Sequence, residues 1–316
     1  MFIGLISIGD IQRALLDKED LSQSVEKFIR SDILYVSANT TMEEIKKKMV
    51  AERIECMPVV DNGELVDIVE WDYVMPEKMM PPQIKNIPVF IMAGGEGTRL
   101  KPLTNYIPKP LIPISDKTII EEIIERFSQI GCNEFIISLN YKADEVEAFF
   151  SEREYNNINI SFVRESEPLG TGGSIYLAKE RLDTTFIVTN CDILVDVNMK
   201  DLLAYHHKSG NIATIVSVIM NFPISYGILE TAQEGELQKI KEKPSLTYQV
   251  NSGLYVLEPG VIDFIKEGER INITDLFTRI MEKDKSVGVF PIQESGWTDM
   301  GNWNSYLKTI GKDGNI

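Results

Sequence analysis

The chain has 316 residues, of which 43% are hydrophobic and 25% are charged, a composition typical of a soluble globular protein with room for two domains. Its formal net charge of −16 argues against nucleic-acid binding, since proteins of that class normally present a basic face. No apolar run approaches the roughly 18 residues that a membrane-spanning helix needs, so we expect no membrane partner.

Charge and cysteine content also bound the chemistry. An acidic protein that binds an anion must concentrate cations locally or recruit a metal. The three cysteines, Cys56, Cys132 and Cys191, are too few and too widely spaced for a disulfide framework or a zinc cluster. They suit a reducing compartment, and we expect a cytoplasmic protein.

The amino-terminal region combines one helical pattern with two strand patterns. Apolar spacing predicts a helix over 42–54, and alternation predicts strands at 57–61 and 64–71 around an Asn-Gly turn. Residues 75–88 hold four prolines and no periodicity, which indicates a linker. We therefore expect a small α+β module at 1–76, a linker at 77–87 and a second domain at 88–316.

Apolar runs and amphipathic helices alternate in the second domain. Strands are predicted at 88–93, 133–140, 158–163 and 185–190, and helices at 118–131, 143–152 and 172–182. Later strands are predicted at 212–220, 226–231, 236–240 and 249–257, with helices at 273–283 and 302–310. This order predicts an α/β fold, with a Rossmann-like, mixed but mainly parallel sheet and helices on both faces.

A glycine-rich loop, AGGEGTRL at residues 93–100, follows the first strand of this domain. Its glycines permit a sharp bend or a close approach to a ligand, and the planar cation of Arg99 suits phosphate oxygens. The loop lacks the Gly-Lys-Ser/Thr ending of a Walker A motif, and it lacks the third glycine and immediate helix of a dinucleotide fingerprint. It is either another kind of phosphate-binding loop or a turn without a ligand.

Further short motifs lie at predicted strand ends or turns. Lys109 lies between two prolines in PKPLIP, and EPLGTGG at 167–173 is a second glycine-rich turn. NCD at 190–192 and WTDMG at 297–301 supply Asp192 and Asp299, and two carboxylates with phosphates would form the oxygen-rich shell that Mg²⁺ prefers. Each motif has an ordinary alternative, such as a solvated lysine for Lys109 or a helix cap for Thr171.

Together and in order, AGGEGTRL, PKPLIP, EPLGTGG, NCD, EKP, NSGLY and WTDMG resemble the sugar-1-phosphate nucleotidyltransferases over about residues 88–310. The match is most similar to mannose-1-phosphate guanylyltransferases and their relatives that use glucosamine- or heptose-type sugars. The resemblance implies transfer of a nucleoside monophosphate to a sugar 1-phosphate, with pyrophosphate released, for surface-glycan or nonulosonic-acid precursors. Cys191 replaces a glycine common in the family, and we expect it to be structural.

The resemblance also implies roles for individual residues. It implies catalytic roles for Arg99, Lys109, Asp192, Lys243 and Asp299. Asp192 and Asp299 would hold the cofactor Mg²⁺. It implies nucleotide contacts for Ala93, Gly94, Gly95, Gly97, Thr98, Glu165, Gly170 and Thr171. The sugar phosphate would contact Glu242, Lys243, Asn251 and Gly253.

Glu165 bears on the choice of base, because base-reading residues of the family lie six positions before the threonine that Thr171 matches. A carboxylate only accepts hydrogen bonds, and guanine offers two adjacent donors, whereas uracil and thymine do not and adenine pairs a donor with an acceptor. GTP is therefore favoured over UTP, CTP or dTTP, unless Glu165 is simply a solvated acid. A non-catalytic nucleotide-binding regulator is the rival hypothesis, disfavoured because the implied catalytic residues are present.

No general base is required, because the second pKa of the attacking phosphate is roughly 6. This agrees with a sequence whose two histidines, His206 and His207, fall in a predicted surface helix.

The first 76 residues resemble a CBS-domain pair whose first repeat is incomplete. Residues 4–16 match the end of the first repeat, with Ser7 and Asp10 at the ribose-binding positions, and 37–75 match the second, where Val69 replaces a hydroxyl residue. The resemblance implies an adenine nucleotide as ligand, or a role in pairing. We expect a homo-oligomer.

Overall fold

The computed structural model describes residues 2–6, 8–17, 19–20, 22–29, 34–52, 56–70, 87–153, 155 and 157–312. The chain forms two compact units, Met1–Pro81 and Pro82–Ile316. Residues 77–86 of the predicted linker lie outside the described residues, so its bounds stay a prediction. Among the described residues, no helix has the length and apolar character to cross a membrane.

The amino-terminal unit is a small α+β module. Its elements are α1 (Ile8–Leu16), α2 (Met42–Glu52), β1 (Cys56–Asp61) and β2 (Glu64–Glu70). A capping box starts α2, where the Thr41 hydroxyl accepts from the Glu44 amide and the Glu44 carboxylate accepts from the Thr41 amide. Strands β1 and β2 pair antiparallel, and Asn62 and Gly63 both have positive φ, as a tight hairpin turn requires.

A small apolar cluster holds this unit together. It consists of Val36, Ile45, Met49, Met57, Val59 and Val69. Val36 forms a parallel bridge with Val59, which adds a third extended segment beside the hairpin. The predicted helix and both strands of this unit are confirmed.

The second unit is an α/β fold. Its strands are β3 (Val89–Met92), β4 (Pro113–Ile114), β5 (Lys117–Thr118), β6 (Glu134–Leu139), β7 (Asn159–Arg164), β8 (Phe186–Asn190), β9 (Ile193–Val195), β10 (Ala213–Pro223), β11 (Ile228–Thr231), β12 (Leu237–Lys241), β13 (Ser245–Leu257), β14 (Val287–Gln293) and β15 (Trp297–Asp299). Its helices are α3 (Ile119–Gln129), α4 (Ala143–Ser151), α5 (Gly170–Gly173), α6 (Met199–Ser209), α7 (Ile273–Met281) and α8 (Trp303–Lys312).

Seven strands form the central sheet in the order β14-β10-β13-β8-β3-β6-β7. Strands β8, β3, β6 and β7 pair in parallel, and β14 pairs in parallel with β10. Only β13 runs antiparallel to its neighbours in this sheet, β8 and β10. The predicted mixed and mainly parallel sheet is confirmed.

Helices cover both faces of this sheet. On one face, the ring of Tyr255 packs 5.3 Å from Phe277 of α7, and on the other the ring of Phe290 packs 5.6 Å from Tyr205 of α6. Tyr255 and Phe290 lie on opposite faces because their register partners are adjacent residues of β10, Ile215 and Val216. The sheet is therefore buried on both sides, as its apolar strands require.

One local expectation is wrong, and one strand of the central sheet was not predicted. The helix predicted at 172–182 is the short α5 followed by a 3₁₀ helix, Ser174–Arg181, whose buried Ile175 and Ala178 follow the three-residue repeat of that helix. Strand β14 was not anticipated, because Pro291 lies within it and proline normally disqualifies a strand. The structure resolves this conflict by placing β14 at the edge of the sheet.

The turn at Gly173 gives a test of this packing. A Cβ at Gly173 would lie 2.2 Å from the backbone oxygen of Glu269, whereas one at Gly311 would meet no atom within 4 Å. We expect Gly173→Ala to lower the free energy of unfolding by about 1–3 kcal/mol, since overpacking against backbone cannot relax easily. The control, Gly311→Ala, should cost nothing. Urea titration followed by circular dichroism measures both, and equal midpoints would contradict the packing described.

Candidate active site at the carboxyl edge of the sheet

Four parallel strands end at one edge of the sheet. The loop at 93–98 follows β3, Asn140 follows β6, Glu165 follows β7, and Asp192 lies two residues after β8. Ligands of open α/β sheets bind outside the carboxyl ends of the strands. The loop at 93–98, Glu165 and Asp192, which were predicted as site residues, therefore share one edge with Asn140.

The glycine-rich loop starts from a fixed base. Ala93 is buried, and its amide donates to the Ser138 carbonyl over 3.0 Å. Gly97 has φ of +64°, and a Cβ there would lie 2.8 Å from Thr104 and 3.0 Å from the Lys109 side chain. Gly97 thus lets the loop lie against the Lys109 segment. The loop residues Gly95 and Thr98 are exposed.

The Asp192 carboxylate forms ion pairs with two cationic side chains beside this loop. This carboxylate is 7% exposed and pairs with Lys109 Nζ, and Arg99 Nη2 lies 3.5 Å from the same oxygen, Oδ2. The Lys109 side chain is 12% exposed, whereas that of Arg99 is 62% exposed. One buried carboxylate therefore fixes one nearly buried ammonium and orients one accessible guanidinium.

Asp299 reaches the same place through a short strand pair. Strand β15 pairs with β9, placing Asp299 opposite Ile193, and the Met300 amide donates to the Asp192 carbonyl over 2.8 Å. A Cβ on Gly301 would lie 2.4 Å from Asp192 Oδ2, 2.9 Å from Asp299 Oδ1 and 2.7 Å from Arg99 Nη2. The two carboxylates converge on this point, and their hard oxygen donors fit a divalent cation such as Mg²⁺.

Glu165 ties three strand ends together. Its Oε1 accepts from the Ser138 hydroxyl over 2.6 Å, and its Oε2 accepts from the Leu169 amide over 2.9 Å. Oε1 also lies against Gly94, where a Cβ would be 2.5 Å away, and Asn140 donates to the Glu165 carbonyl. The carboxylate thus fixes the spacing between the two glycine-rich turns.

The second glycine-rich turn packs on backbone. A Cβ on Gly170, whose φ is +74°, would lie 2.7 Å from the Ile271 carbonyl oxygen. The Thr171 hydroxyl accepts from the Ile273 amide over 2.9 Å, at the start of α7. The structure therefore gives Thr171 a capping role on a distant helix, which leaves its nucleotide contact a prediction.

Of the predicted sugar-pocket residues Asn251 and Gly253, Gly253 adjoins the end of β8. Asn251 accepts from the Gly253 amide over 2.9 Å and donates to the Tyr255 hydroxyl. Gly253, with φ of +86°, packs against Asn190, which a Cβ would approach to 2.6 Å. Both residues lie where β13 bulges opposite β10, and the contacts of Gly253 with Asn190 and Ile193 place it beside the Asp192 segment.

Lys243 and Glu242 lie apart from this cluster. Both are exposed in the turn between β12 and β13, and Lys243 has φ of +41°, an uncommon conformation for lysine. Within the described ranges, no hydrogen bond or ion pair joins either residue to Asp192 or Asp299.

Of two predictions about titratable groups, the one for Cys191 agrees with the structure and the one for His206 does not. Cys191 is buried, and burial raises the pKa of its thiol to about 11, as suits a structural residue rather than a nucleophile. The expected surface position of His206 is wrong. Its side chain, on α6, is fully buried, and burial lowers its pKa. His207 is exposed, as expected.

The amino-terminal unit shows part of its predicted ligand site. Ser7 lies outside the described residues. Asp10 is buried and accepts from Arg13 Nη2 over 2.5 Å, so its ribose contact stays a prediction. Val69, which replaces the hydroxyl residue of the second repeat, belongs to the apolar core of the unit.

Several site residues were not anticipated from the sequence. They are Ser138, Asn140, Asn190 and Gly301. The first three are polar residues at the carboxyl ends of predicted strands, a position that could have identified them. Gly301 lay within WTDMG, but its role depends on contacts across the fold.

Residues 88–315 match the family model described as nucleotidyl transferase, and residues 25–75 match the CBS domain model. The chain belongs to the nucleotidyl transferase family. Among its relatives, the UTP–glucose-1-phosphate uridylyltransferase of Synechocystis sp. is 30% identical over 240 residues, which cover 70% of this chain and 61% of that protein. The mannose-1-phosphate guanylyltransferase catalytic subunit beta of Xenopus tropicalis is 33% identical over 225 residues, covering 69% and 62%.

A solved structure shares the architecture. The crystal structure of HddC from Yersinia pseudotuberculosis is 28% identical, with a TM-score of 0.57, and covers 72% of this chain and 100% of its own. HddC complexed with GMP-PN gives a TM-score of 0.54 at 27% identity over the same shares. The chain spans about three-fifths of the length of the two curated relatives above.

The Glu165 contacts predict a graded response to substitution. Glu165→Gln can still accept from the Leu169 amide and can donate to Ser138, so it should cost less than about 1 kcal/mol of unfolding free energy. Glu165→Ala removes both bonds and should cost about 2–3 kcal/mol. Chemical denaturation measures the difference, with Glu167→Gln as an exposed control in the same turn. Equal stability of the Gln and Ala variants would mean that these bonds do not hold the turns.

Proposed function

We propose that this chain transfers the nucleoside monophosphate of GTP to a sugar 1-phosphate and releases pyrophosphate. The observation that supports this most strongly is the convergence of Asp192, Asp299 and Arg99 on one point beside an exposed glycine-rich loop. The curated relatives named above are nucleotidyltransferases for sugar 1-phosphates. Mannose-, glucosamine- and heptose-type 1-phosphates are the first candidates for the acceptor, and surface-glycan or nonulosonic-acid precursors are the proposed products.

The chemistry is an in-line displacement. A phosphate oxygen of the sugar 1-phosphate forms a bond to the α-phosphorus of the nucleotide, and the bond from that phosphorus to the β-phosphate bridging oxygen breaks. The attacking oxygen is already anionic near neutral pH, because the second phosphate pKa is roughly 6. No proton must be removed, and the two histidines adjoin Glu258 and Thr214, away from the carboxylate cluster.

The difficulty is the approach of two anions, and the chain offers positive charge where they would meet. Lys109, held by Asp192, would lie at the α-phosphate, and the accessible Arg99 at the departing pyrophosphate. Loop amides from Gly94 to Thr98 would hold the remaining phosphate oxygens. Asp192 and Asp299 would hold Mg²⁺, which, when bound, neutralises phosphate charge.

Lys243 would receive the phosphate of the incoming sugar. Its left-handed backbone and its exposure support this role, since strained residues cluster at functional sites. Glu242, Asn251 and Gly253 would face the sugar. We propose that the turn between β12 and β13 delivers the second substrate to the carboxylate cluster.

The amino-terminal unit, over 1–76, would bind an adenine nucleotide through Ser7 and Asp10 or pair with a second copy. We keep the cytoplasm as the expected compartment and the homo-oligomer as the expected state. A non-catalytic nucleotide-binding regulator is the alternative function.

A panel of sugar 1-phosphates with GTP, UTP, CTP and dTTP tests the proposal directly. Pyrophosphate should be released with at least one pair, and Asp192→Asn should slow that release by about 100-fold or more, because the charge holding Lys109 and Arg99 is lost. Asp183→Asn, an exposed control, should match the unchanged protein. Full activity of Asp192→Asn would overturn the assigned site, and no release with any pair would favour the regulator.

Base choice has its own test. Glu165→Gln replaces one acceptor with a donor, so kcat/KM for GTP should fall about 10- to 100-fold relative to that for UTP. The kinetics are compared with those of Glu167→Gln. An unchanged preference for GTP would remove the argument for base reading by Glu165 while leaving the reaction itself intact.

A further inference from the structure

Three potential metal ligands meet at the edge of the sheet opposite the candidate active site. His206 and His207 belong to the last turn of α6, and Glu258 directly follows β13. His206 Nε2 lies 3.0 Å and His207 Nδ1 lies 3.8 Å from the same oxygen, Glu258 Oε1. All three candidate donor atoms lie within 4.8 Å of one another.

This group is remote from the carboxylate cluster. The Thr185 hydroxyl donates to Glu258 Oε1 over 2.8 Å, and Thr185 directly precedes β8, whereas Asp192 follows the other end of that strand. A five-residue strand is about 17 Å long, at roughly 3.3 Å per residue. The group is therefore no part of the proposed reaction.

The neutral imidazole of His206 can adopt either of two tautomers. In one, Nε2–H donates to Glu258 and Nδ1 accepts from the Thr214 hydroxyl, 2.8 Å away. In the other, Nδ1–H donates to Thr214, whose oxygen also accepts from Asn211. The second arrangement turns the Nε2 lone pair toward a carboxylate oxygen, so it is stable only when a cation lies between them.

We propose that His206 Nε2, His207 Nδ1 and Glu258 Oε1 bind a zinc ion. In a tetrahedral zinc site, with metal–ligand distances near 2.1 Å, neighbouring donors are about 3.4 Å apart. The separations of 3.0 and 3.8 Å from Glu258 Oε1 bracket this value. Two imidazoles and a carboxylate suit zinc better than magnesium, and water would complete the fourth position.

The surroundings favour a cation at this place. The site lies at the carboxyl end of α6, where backbone carbonyls concentrate partial negative charge. The Thr214 hydroxyl would fix the ring of His206, as second-shell partners of metal-bound histidines do. The bound ion would fasten α6 to β13.

The sequence makes the test unambiguous, because His206 and His207 are the only histidines in the chain. Zinc chloride is titrated into the full chain in excess MgCl₂, which occupies oxygen-only sites, and the imidazole resonances are followed by NMR. Both imidazoles should shift together and saturate at one zinc per chain. Zinc bound by the cysteines instead would leave both resonances in place, which would overturn the proposal.

Substitutions distinguish zinc binding by these residues from a purely structural role in packing. His207 is exposed, so His207→Ala should fold, and it should weaken zinc binding at least 10-fold and abolish the rise in Tm that zinc gives the unchanged protein. Glu258→Gln should weaken binding similarly. Lys200→Ala, exposed on the same helix, is the matched control and should bind as the unchanged protein does. Unaltered zinc affinity in His207→Ala would contradict the site. Pyrophosphate release should be the same in His207→Ala as in the unchanged protein.

Discussion

The buried carboxylate of Asp192 is the charge on which the proposed active site depends. A carboxylate removed from water is costly unless positive charge and hydrogen bonds compensate it, and here Lys109 and Arg99 approach the same oxygen. Lys109 is itself nearly buried, so each of this pair requires the other. The glycine-rich loop, which carries Arg99 and packs on Lys109 through Gly97, is positioned by the same interaction.

The sheet explains how distant residues reach this charge. Strand β8 ends just before Asp192, and the β9–β15 pair brings Asp299 beside it. Gly301 has no side chain because Asp192, Asp299 and Arg99 occupy the space around it. Although the net charge of the chain is −16, cationic side chains and carboxylates lie together at this site. A reaction between two anions needs such a local concentration of positive charge. The opposite end of β8 carries a separate group of ligands with different chemistry.

Much of the second unit could be predicted from the sequence, because alternating apolar strands and amphipathic helices define an α/β sheet. The carboxyl ends of its parallel strands then located the loop after β3 and Asp192, whereas Glu165 was identified from the family resemblance. Strand β14 escaped prediction, because the penalty for Pro291 depends on whether a strand is central or at an edge. The burial of His206 escaped too, since a histidine on a polar helix shows nothing of its contacts with Thr214 and Glu258. Local patterns do not encode such tertiary contacts.

For the same reason, the roles of individual glycines could be predicted from the sequence only in part. A glycine-rich turn after a strand indicates a ligand loop, and Gly94 and Gly97 lie in one. Gly173, in a motif of the same appearance, serves packing against Glu269. Only the partner across the fold distinguishes these two uses of glycine.

Binding of Mn²⁺, a paramagnetic substitute for Mg²⁺ that prefers oxygen ligands, tests the central claim most directly. Electron paramagnetic resonance would give its affinity for the unchanged chain and for Gly301→Ala and Gly311→Ala, each with a non-hydrolysable GTP analogue. If Asp192 and Asp299 hold the metal together, the methyl group of Gly301→Ala should weaken Mn²⁺ binding at least 10-fold while Gly311→Ala leaves it unchanged. Equal affinity in all three proteins would contradict a metal site at these two carboxylates.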